Sequence, residues 1–336
     1  MILFLVGIFS LLKIDAQDLH YSQFYTAQYL LNPAMTGVYD GFFRANLNQK
    51  TQWLSVSKPF VSLSGSVDAP IYKNNKFKQL VGLGLNINSD KAGDSEYRSF
   101  DINLAASFVK SMGYKNKHKL GFGATGGFVQ RSLNYAALHF DEQFQNGYYN
   151  PDYPITETFG DSKISYFDFG LGVFYSYSPK RNNVISFGFS ALHLNRPTQS
   201  YQQGKMVLPI RLTPYFNSRW MLADFIAITP AVFATFQGKY REFTFGTNLE
   251  YLMKKNAYTT LATFGVGLFY RWNDAIIAQV LMDIKNVRLG FSYDINISTF
   301  VPATQIRGGL ELSIIYTYKK AKIGRTGREP CPYEIM

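Results

Sequence analysis

The chain has little of three things that large proteins commonly contain. It has a single cysteine, Cys331, within its last six residues, so an internal disulfide cannot stabilise the fold. No apolar run after residue 16 approaches the roughly 20 residues that a membrane-spanning helix needs, and no Pro-, Gly- or Ser-rich linker divides the chain. These absences exclude a disulfide framework and a helical membrane protein, and they indicate one continuous domain.

Acidic residues are also scarce. The chain has 23 Asp and Glu but 34 Lys and Arg, which gives a net charge of +11. A basic chain often binds nucleic acid. Residues 1–16, however, are typical of a secretory signal peptide, apolar from Ile2 to Leu12 and with a cleavage site after Ala16. For an exported chain we expect no nucleic acid partner, and we expect anionic outer-membrane lipid or an acidic protein instead.

What the sequence does have is alternation. In 81–88, 99–108 and 287–295, apolar residues occupy every second position, and Gly, Ala, Ser, Asn, Asp or Arg stand between them. Strict alternation indicates strands with one apolar face, and the strongest segments match the roughly 9–11 residues of outer-membrane strands rather than the roughly 5–6 of soluble ones. We count fourteen candidate strands, centred near residues 47, 63, 85, 103, 125, 171, 189, 213, 230, 245, 265, 278, 291 and 312.

This pattern predicts an all-β fold, a transmembrane antiparallel outer-membrane β-barrel of about fourteen strands over residues 41–318, in a Gram-negative bacterium. The apolar faces would contact lipid, the polar faces would line the lumen, and Tyr and Trp near the strand ends would form the interfacial girdles. A soluble β-sandwich or solenoid is the alternative. The remaining segments would be a periplasmic or plug segment at 17–40 and a basic periplasmic tail at 319–336.

Connection lengths and charges predict the orientation of this barrel. With a periplasmic N-terminus, the long connections 131–163, 195–206 and 297–304 face outward, as is usual for outer-membrane barrels. Half of the 34 Lys and Arg then fall at the periplasmic turns and tail. We expect this basic rim to dock an acidic periplasmic surface, although solvated turn lysines are an equal alternative. The turn residues are Lys73, Lys76, Lys78, Lys110, Lys115, Lys117, Lys119, Lys180, Arg181, Lys254, Lys255 and Lys285, and the tail residues are Lys319, Lys320, Lys322, Arg325 and Arg328.

The sequence offers no constellation for catalysis, cofactors or metals. Gly121, Gly123 and Gly126 match the dinucleotide fingerprint by spacing, but they lie inside an alternating strand and not at a strand–turn–helix junction. The four histidines show no ligand spacing. We therefore expect no enzyme, no cofactor and no metal site. Arg44, Asp101, Asp168, Arg288 and Glu311 fall on polar faces, where we expect a structural network in the lumen or the lining of a pore.

The segment before the first strand has its own pattern. It reads Ser22–Gln23–Phe24–Tyr25 and then Leu31–Asn32–Pro33–Ala34, is rich in aromatic residues and lacks alternation. Proline disfavours the α region for the residue before it, which predicts extended backbone at Asn32 followed by a turn. The segment is therefore a candidate plug for the lumen or a recognition element on the periplasmic side.

These motifs together resemble the PorP/SprF family of outer-membrane proteins. The resemblance covers the mature chain. It rests on the N-terminal motifs with Gly37, Arg44 and Gln52–Trp53, on 167–172 with Tyr175, on 288–294 and 308–313, and on the Cys331–Pro332 tail. Site residues carried over from it are Ser22, Gln23, Phe24, Tyr25, Asn32, Pro33, Arg44, Trp53, Cys331 and Pro332.

The resemblance implies a role in type IX secretion and gliding rather than in solute uptake. Members of the family are thought to work with periplasmic secretion rings, and some help to export or anchor one large secreted surface protein. We therefore expect a non-enzymatic secretion component with these two classes of partner. A passive pore or small-solute transporter is the second hypothesis, and a barrel lipase or protease is the third.

Overall fold

The computed structural model describes residues 18–319 except 54–57, 75, 94, 146, 157–159, 181, 202–205, 257–258 and 300. Fourteen strands form a closed barrel in which every neighbouring pair is antiparallel, and β1 closes the ring by pairing with β16, from Phe43 opposite Tyr318 to Gln52 opposite Gly309. All fourteen strands that alternation predicts are present, including the weaker candidates near 189, 213, 230 and 278. The predicted fold class is confirmed.

The strands are β1 (Phe43–Gln52), β2 (Phe60–Asn74), β3 (Gln79–Ala92), β4 (Tyr97–Met112), β5 (His118–Ser132), β6 (Phe144–Gln145), β7 (Tyr148–Tyr149), β8 (Lys163–Lys180), β9 (Asn183–Leu192), β10 (Arg211–Ala223), β11 (Ile226–Gln237), β12 (Tyr240–Asn256), β13 (Thr259–Arg271), β14 (Ala275–Ile284), β15 (Val287–Asn296) and β16 (Arg307–Tyr318). The short β6 and β7 form a separate hairpin within the longest connection. The α-helices are α1 (Gln28–Leu31) and α2 (Val301–Thr304), and no helix in the described ranges is long and apolar enough to cross a membrane.

The two ends of the barrel differ in their connections. One end carries the start of β1, the end of β16 and turns of two to five residues, and we call it the turn end. The other end carries the long connections 133–162, 193–210 and 297–306, and we call it the loop end. This is the asymmetry that the sequence predicts, and in outer-membrane barrels the short turns face the periplasm.

The exposure of the side chains is inverted relative to a soluble protein. Leu104 and Phe167 on the outer face are each 65% exposed, whereas Asn48 and Ser190 on the inner face are buried. The buried apolar cluster instead lies within the lumen, where Phe24, Leu31 and Met35 of the N-terminal segment pack against residues of the barrel wall such as Phe174, Phe233, Phe269 and Ile277. An apolar exterior is the surface that lipid covers.

Candidate functional site

The lumen contains the N-terminal segment, residues 18–42, which we call the plug. Its side chains are buried throughout 21–29 and 31–39. Asp18 contacts side chains at the loop end, and the segment leaves the lumen at the turn end, where it continues into β1. We expected this segment in the lumen or on the periplasmic side, but its described start lies at the opposite end, among the long loops.

The loop-end anchor holds the first residues of the plug. The Asp18 carboxylate lies 2.5 Å from Nε2 of His193 and 3.5 Å from Nη2 of Arg131, and it accepts a hydrogen bond of 2.7 Å from Nε2 of Gln237. Arg211 donates to the backbone oxygen of Leu19 at 3.1 Å. Side chains from four segments of the barrel therefore converge on two residues of the plug.

His193 follows β9 and stands between two carboxylates, since its Nδ1 also lies 2.9 Å from Asp168. Burial alone lowers the pKa of His193, but the Asp18 and Asp168 carboxylates outweigh burial and raise it to about 9. Burial raises the pKa of Asp18, and His193, Arg211 and Arg131 together lower it well below its usual value. The two groups are therefore both charged near neutral pH, and they form a buried ion pair.

The Ser22 cluster holds the plug further inside the lumen. The Glu311 carboxylate of β16 accepts the backbone N–H groups of Ser22 at 2.6 Å and of Gln23 at 3.0 Å. The Ser22 hydroxyl donates to Asp294 at 2.7 Å and accepts from Lys50 at 3.1 Å and Arg271 at 2.8 Å. The four charged members of the cluster, Lys50, Arg271, Asp294 and Glu311, are all buried. Asp294 lies 3.7 Å from Lys50 and 3.1 Å from Arg271, whereas the Glu311 carboxylate is held by the two backbone N–H groups.

The next three residues of the plug contact one arc of the barrel, from β16 to β11. The Gln23 amide donates to Ser292 at 3.2 Å and accepts from Ser313 at 2.7 Å. The Phe24 ring stacks on Phe233 with 5.0 Å between the ring centroids, at an interplanar angle of 12°. The Phe24 ring also contacts the edge of Phe269, with 6.0 Å between the ring centroids. The Tyr25 hydroxyl donates to Gln279 at 2.8 Å.

Asn32 and Pro33 form the turn that the sequence predicts. Asn32 has extended backbone, and its side-chain oxygen accepts from the backbone N–H of Ala34 at 2.9 Å, which caps a short 3-10 helix over Pro33–Met35. Its amide nitrogen donates to the backbone oxygens of Val173 and Phe189 in the wall, at 2.9 and 3.4 Å. One side chain therefore orders the turn and binds it to β8 and β9.

Glycines in the wall make room for the backbone of the plug. A Cβ atom at Gly172 would overlap the Asn32 side chain, one at Gly123 would overlap the backbone of Ala34, and one at Gly82 would overlap the backbone of Thr36. Gly123 belongs to the apparent dinucleotide fingerprint, and its contact with the plug explains its presence without a cofactor.

The turn-end anchor fixes the exit of the plug. Arg44 at the start of β1 forms two hydrogen bonds with the Asp68 carboxylate, at 2.9 and 2.6 Å, and lies over the Tyr39 ring at 4.4 Å. The same carboxylate accepts the backbone N–H of Gly37 at 2.6 Å. Gly37 has φ +71°, a conformation that favours glycine.

The remaining residues that the sequence singled out lie elsewhere. Trp53 follows β1 at the loop end, packed on Phe60 at 4.8 Å, and so lies at the opposite end of β1 from Arg44. Lys319 is exposed directly after β16. Cys331, Pro332, Lys320, Lys322, Arg325 and Arg328 lie outside the described residues, as does Arg181. Lys119 corrects our expectation of a turn lysine, because it points into the lumen and is 1% exposed.

The residues expected to line the lumen do so, but they belong to separate groups. Arg44 and Glu311 contact the plug, whereas Asp101 binds Asn88 and Asn103 of the wall, and Arg288 pairs with Asp283 at 2.6 Å. Sequence reasoning missed Asp18 of the plug and the principal partners of the plug in the wall: Lys50, Asp68, Arg131, His193, Arg211, Arg271 and Asp294. Lys50, Asp68 and Asp294 are charged residues at the polar positions of alternating strands. This charge on the lumen side was the feature from which they could have been found.

A cavity of about 100 Å³ lies between the plug and the wall, in the part of the lumen next to the loop end. Leu19 and Tyr29 of the plug line it, together with Asn88, Asp101 and Tyr166 of the wall. Such a volume is large enough to hold water. In the described part of the chain, no group of three or more His, Cys, Asp and Glu side chains is arranged to hold a metal ion.

The fold is similar to solved structures of outer-membrane barrels. The toluene transporter TbuX of Ralstonia pickettii matches with a TM-score of 0.52 at 12% identity, over 88% of this chain and 93% of its own. A mutant of the monoaromatic hydrocarbon channel TodX, a protein of Pseudomonas putida, matches with a TM-score of 0.52 at 12% identity, over 87% and 94%. At this identity the likeness concerns the fold. The comparison with curated proteins found no match.

The comparison of the sequence with family models is more specific. Residues 14–316 match the model of the type IX secretion system membrane protein PorP/SprF. The match includes the whole plug and all but the end of the last strand. The chain therefore belongs to the PorP/SprF family of outer-membrane proteins of the type IX secretion system.

Proposed function

We propose that this barrel is a non-enzymatic secretion component that helps to export or anchor a large secreted surface protein and that docks periplasmic secretion-ring proteins. The family supports a role in type IX secretion, and the fold and family are those of secretion and transport barrels rather than enzymes. The observation that carries the proposal is the plug, which is bound at the loop end, within the lumen and at the turn end. A barrel filled in this way acts through its two ends.

The loop end is the surface for the secreted partner in this proposal. Its longest connection, 133–162, contains the β6–β7 hairpin with Phe144, Tyr148 and Tyr149 exposed, and Tyr148 is 80% exposed. Aromatic residues on an exposed hairpin, close to the acidic Asp141 and Glu142, offer both apolar area and charge to a partner. The turn end, with Lys319 and the basic tail 319–336 that includes Cys331 and Pro332, is the surface for the periplasmic machinery.

The test is an affinity purification from solubilised outer membranes, comparing the full chain with a variant that lacks 319–336. We expect the full chain to retain a large secreted protein and periplasmic ring proteins. The truncated chain should insert into the membrane and keep the secreted protein, but lose the ring proteins and export less. Unchanged secretion by the truncated chain would refute the docking role of the tail.

A passive pore for small solutes is the second candidate. The cavity next to the loop end favours it, as does the likeness in fold to a toluene transporter and a hydrocarbon channel. The pore hypothesis requires the plug to move or leave. It predicts conductance of the purified barrel in planar bilayers, together with no stable association with a secreted protein.

A further inference from the structure

A basic surface lies at the turn end, beyond the apolar belt of the barrel. The outer face of β4 and β5 is apolar at Phe108 and Leu120, and the next outward residues are Lys110 and His118. Past them come the β2–β3 and β4–β5 turns. We call the exposed surface of these two hairpins the turn-end patch, formed by Lys73, Lys76, Phe77, Lys78, Lys110, Tyr114, Lys115 and Lys117.

The charge of this patch is of one sign. Residues 69–89 and 102–132, which form the turn-side parts of the two hairpins, contain no Asp or Glu. The segment 169–223, which includes the next turn and Lys180, contains none either. The end of the plug, which leaves the lumen at the turn end, carries one acidic residue, Asp40.

The opposite arc of the turn end has a mixed composition. The connections and strand ends of this arc carry Lys254, Lys255 and Lys285, but also Asp224 and Asp283. Asp283 is paired with Arg288. The basic surface is therefore concentrated on one side of the barrel rather than distributed evenly around its rim.

Two aromatic rings stand among these lysines. Phe77 is 54% exposed and Tyr114 is 78% exposed, each in a turn between two strands. The Lys76 ammonium lies 5.6 Å from the centre of the Phe77 ring, and the Lys115 ammonium lies 5.4 Å from the centre of the Tyr114 ring. Exposed rings surrounded by cations combine apolar area, which gains free energy on burial, with charge that selects an acidic partner.

We propose that the turn-end patch is the docking surface for an acidic protein, whose carboxylates surround an apolar spot that accepts Phe77 and Tyr114. Lipid surrounds a barrel on every side, so a surface adapted to anionic headgroups would extend around the rim. A patch on one side fits a partner that approaches from one side. This inference rests on the proposed docking role of the turn end, and it specifies where the partner binds and what its surface carries.

The binding test uses the full barrel in nanodiscs of phosphatidylcholine and a fluorescent polyglutamate peptide as the probe. The patch variant replaces Lys73, Lys76, Lys78 and Lys115 by Gln. The matched control replaces Lys163, Arg196, Lys239 and Arg241, four exposed cations on the loop side, by Gln and removes the same charge. We expect the patch variant to bind the probe about tenfold more weakly and the control variant less than twofold more weakly, because several cations act together. Equal losses in the two variants would overturn the proposal.

The second arm identifies the occupant in cells. A photo-crosslinking residue at Phe77 or Tyr114 should label a protein through an acidic segment, and the label should disappear in the patch variant. Labelling of phospholipid alone, or of a second copy of this chain, would overturn the proposal. Secretion is measured in the same cells. If the patch variant lost the label but secreted normally, the docking surface for an acidic protein would still be supported. The proposed function in secretion would then be contradicted.

Discussion

At the scale of single residues, the plug depends on buried charges that are satisfied by backbone as well as by other charges. Glu311 is the clearest case, because its two oxygens accept the N–H groups of consecutive plug residues while Lys50, Arg271 and Asp294 surround Ser22. A glutamine in its place keeps one acceptor oxygen, whereas an alanine keeps none.

We therefore expect Glu311→Ala to lower the free energy of unfolding by about 3–5 kcal/mol, because it removes one partner from a buried charge cluster. Glu311→Gln should cost less, about 1.5–3 kcal/mol, the range for a hydrogen bond to a charged group. Urea unfolding in detergent micelles, followed by tryptophan fluorescence, measures both. Equal costs for the two variants would mean that the plug does not depend on these hydrogen bonds.

His193 makes the loop-end anchor dependent on pH. Its pKa is raised from 6.5 to about 9, so its contribution to stability is complete below pH 6.5 and is lost as the pH rises through about 9. Arg131 and Arg211 also face Asp18. The lowered pKa of Asp18 adds a second limit, because its contribution is lost only in acid, below the usual range of an aspartate.

Limited proteolysis of the first plug residues measures this anchor. Cleavage of the wild-type chain should be slow and constant from pH 5 to 6.5 and should accelerate towards pH 9. In His193→Gln the rate should be higher and independent of pH above 5. A wild-type rate that stays constant through pH 9 would show that His193 does not hold Asp18 by charge.

At the scale of elements, the plug and the wall fit because the wall lacks side chains where the plug backbone passes. We expect Gly172→Val to prevent the Asn32–Pro33 turn from seating on β8, while the barrel still closes. Gly65→Ala is the matched control, since a Cβ atom at Gly65 meets nothing within 4 Å. The heat-dependent mobility of the barrel on gels reports closure, and proteolysis of the plug reports seating. If Gly172→Val also prevented the barrel from closing, closure of the barrel and seating of the plug would not be independent.

The elements were largely predictable from sequence, and the contacts between them were not. Alternation located all fourteen barrel strands, since one face meets lipid and the other the lumen, and the residue before Pro33 was extended as expected. The path of the plug could not be read in this way. Its partners are chosen by the closed shape of the barrel, which brings Ser22 next to Glu311 across 289 residues of sequence. Alternation at every second residue shows that a side chain faces the lumen. It shows neither how far along the barrel axis the side chain lies nor which side chain it contacts.

At the scale of the whole molecule, the plug fills the lumen, and the proposed function assigns a binding surface to each end of the barrel. We expect the purified wild-type barrel to show no conductance in planar bilayers, and a variant lacking residues 18–36 to conduct. A fourteen-stranded barrel is wide enough to leave a channel once its lumen is empty. Conductance of the wild-type barrel equal to that of the deletion variant would favour the passive pore.

The closure of the ring has a consequence for assembly. The plug begins at the loop end, passes through the lumen and continues into β1, and β1 is the strand that pairs with β16. The segment that precedes the barrel strands therefore lies inside a ring that only β16 completes. Either the ring closes around a segment already lying in place, or that segment must afterwards be threaded through a finished tube. A compact domain fused before Asp18 would be too wide to pass through the closed barrel. Such a fusion could assemble only if the ring closes around the plug.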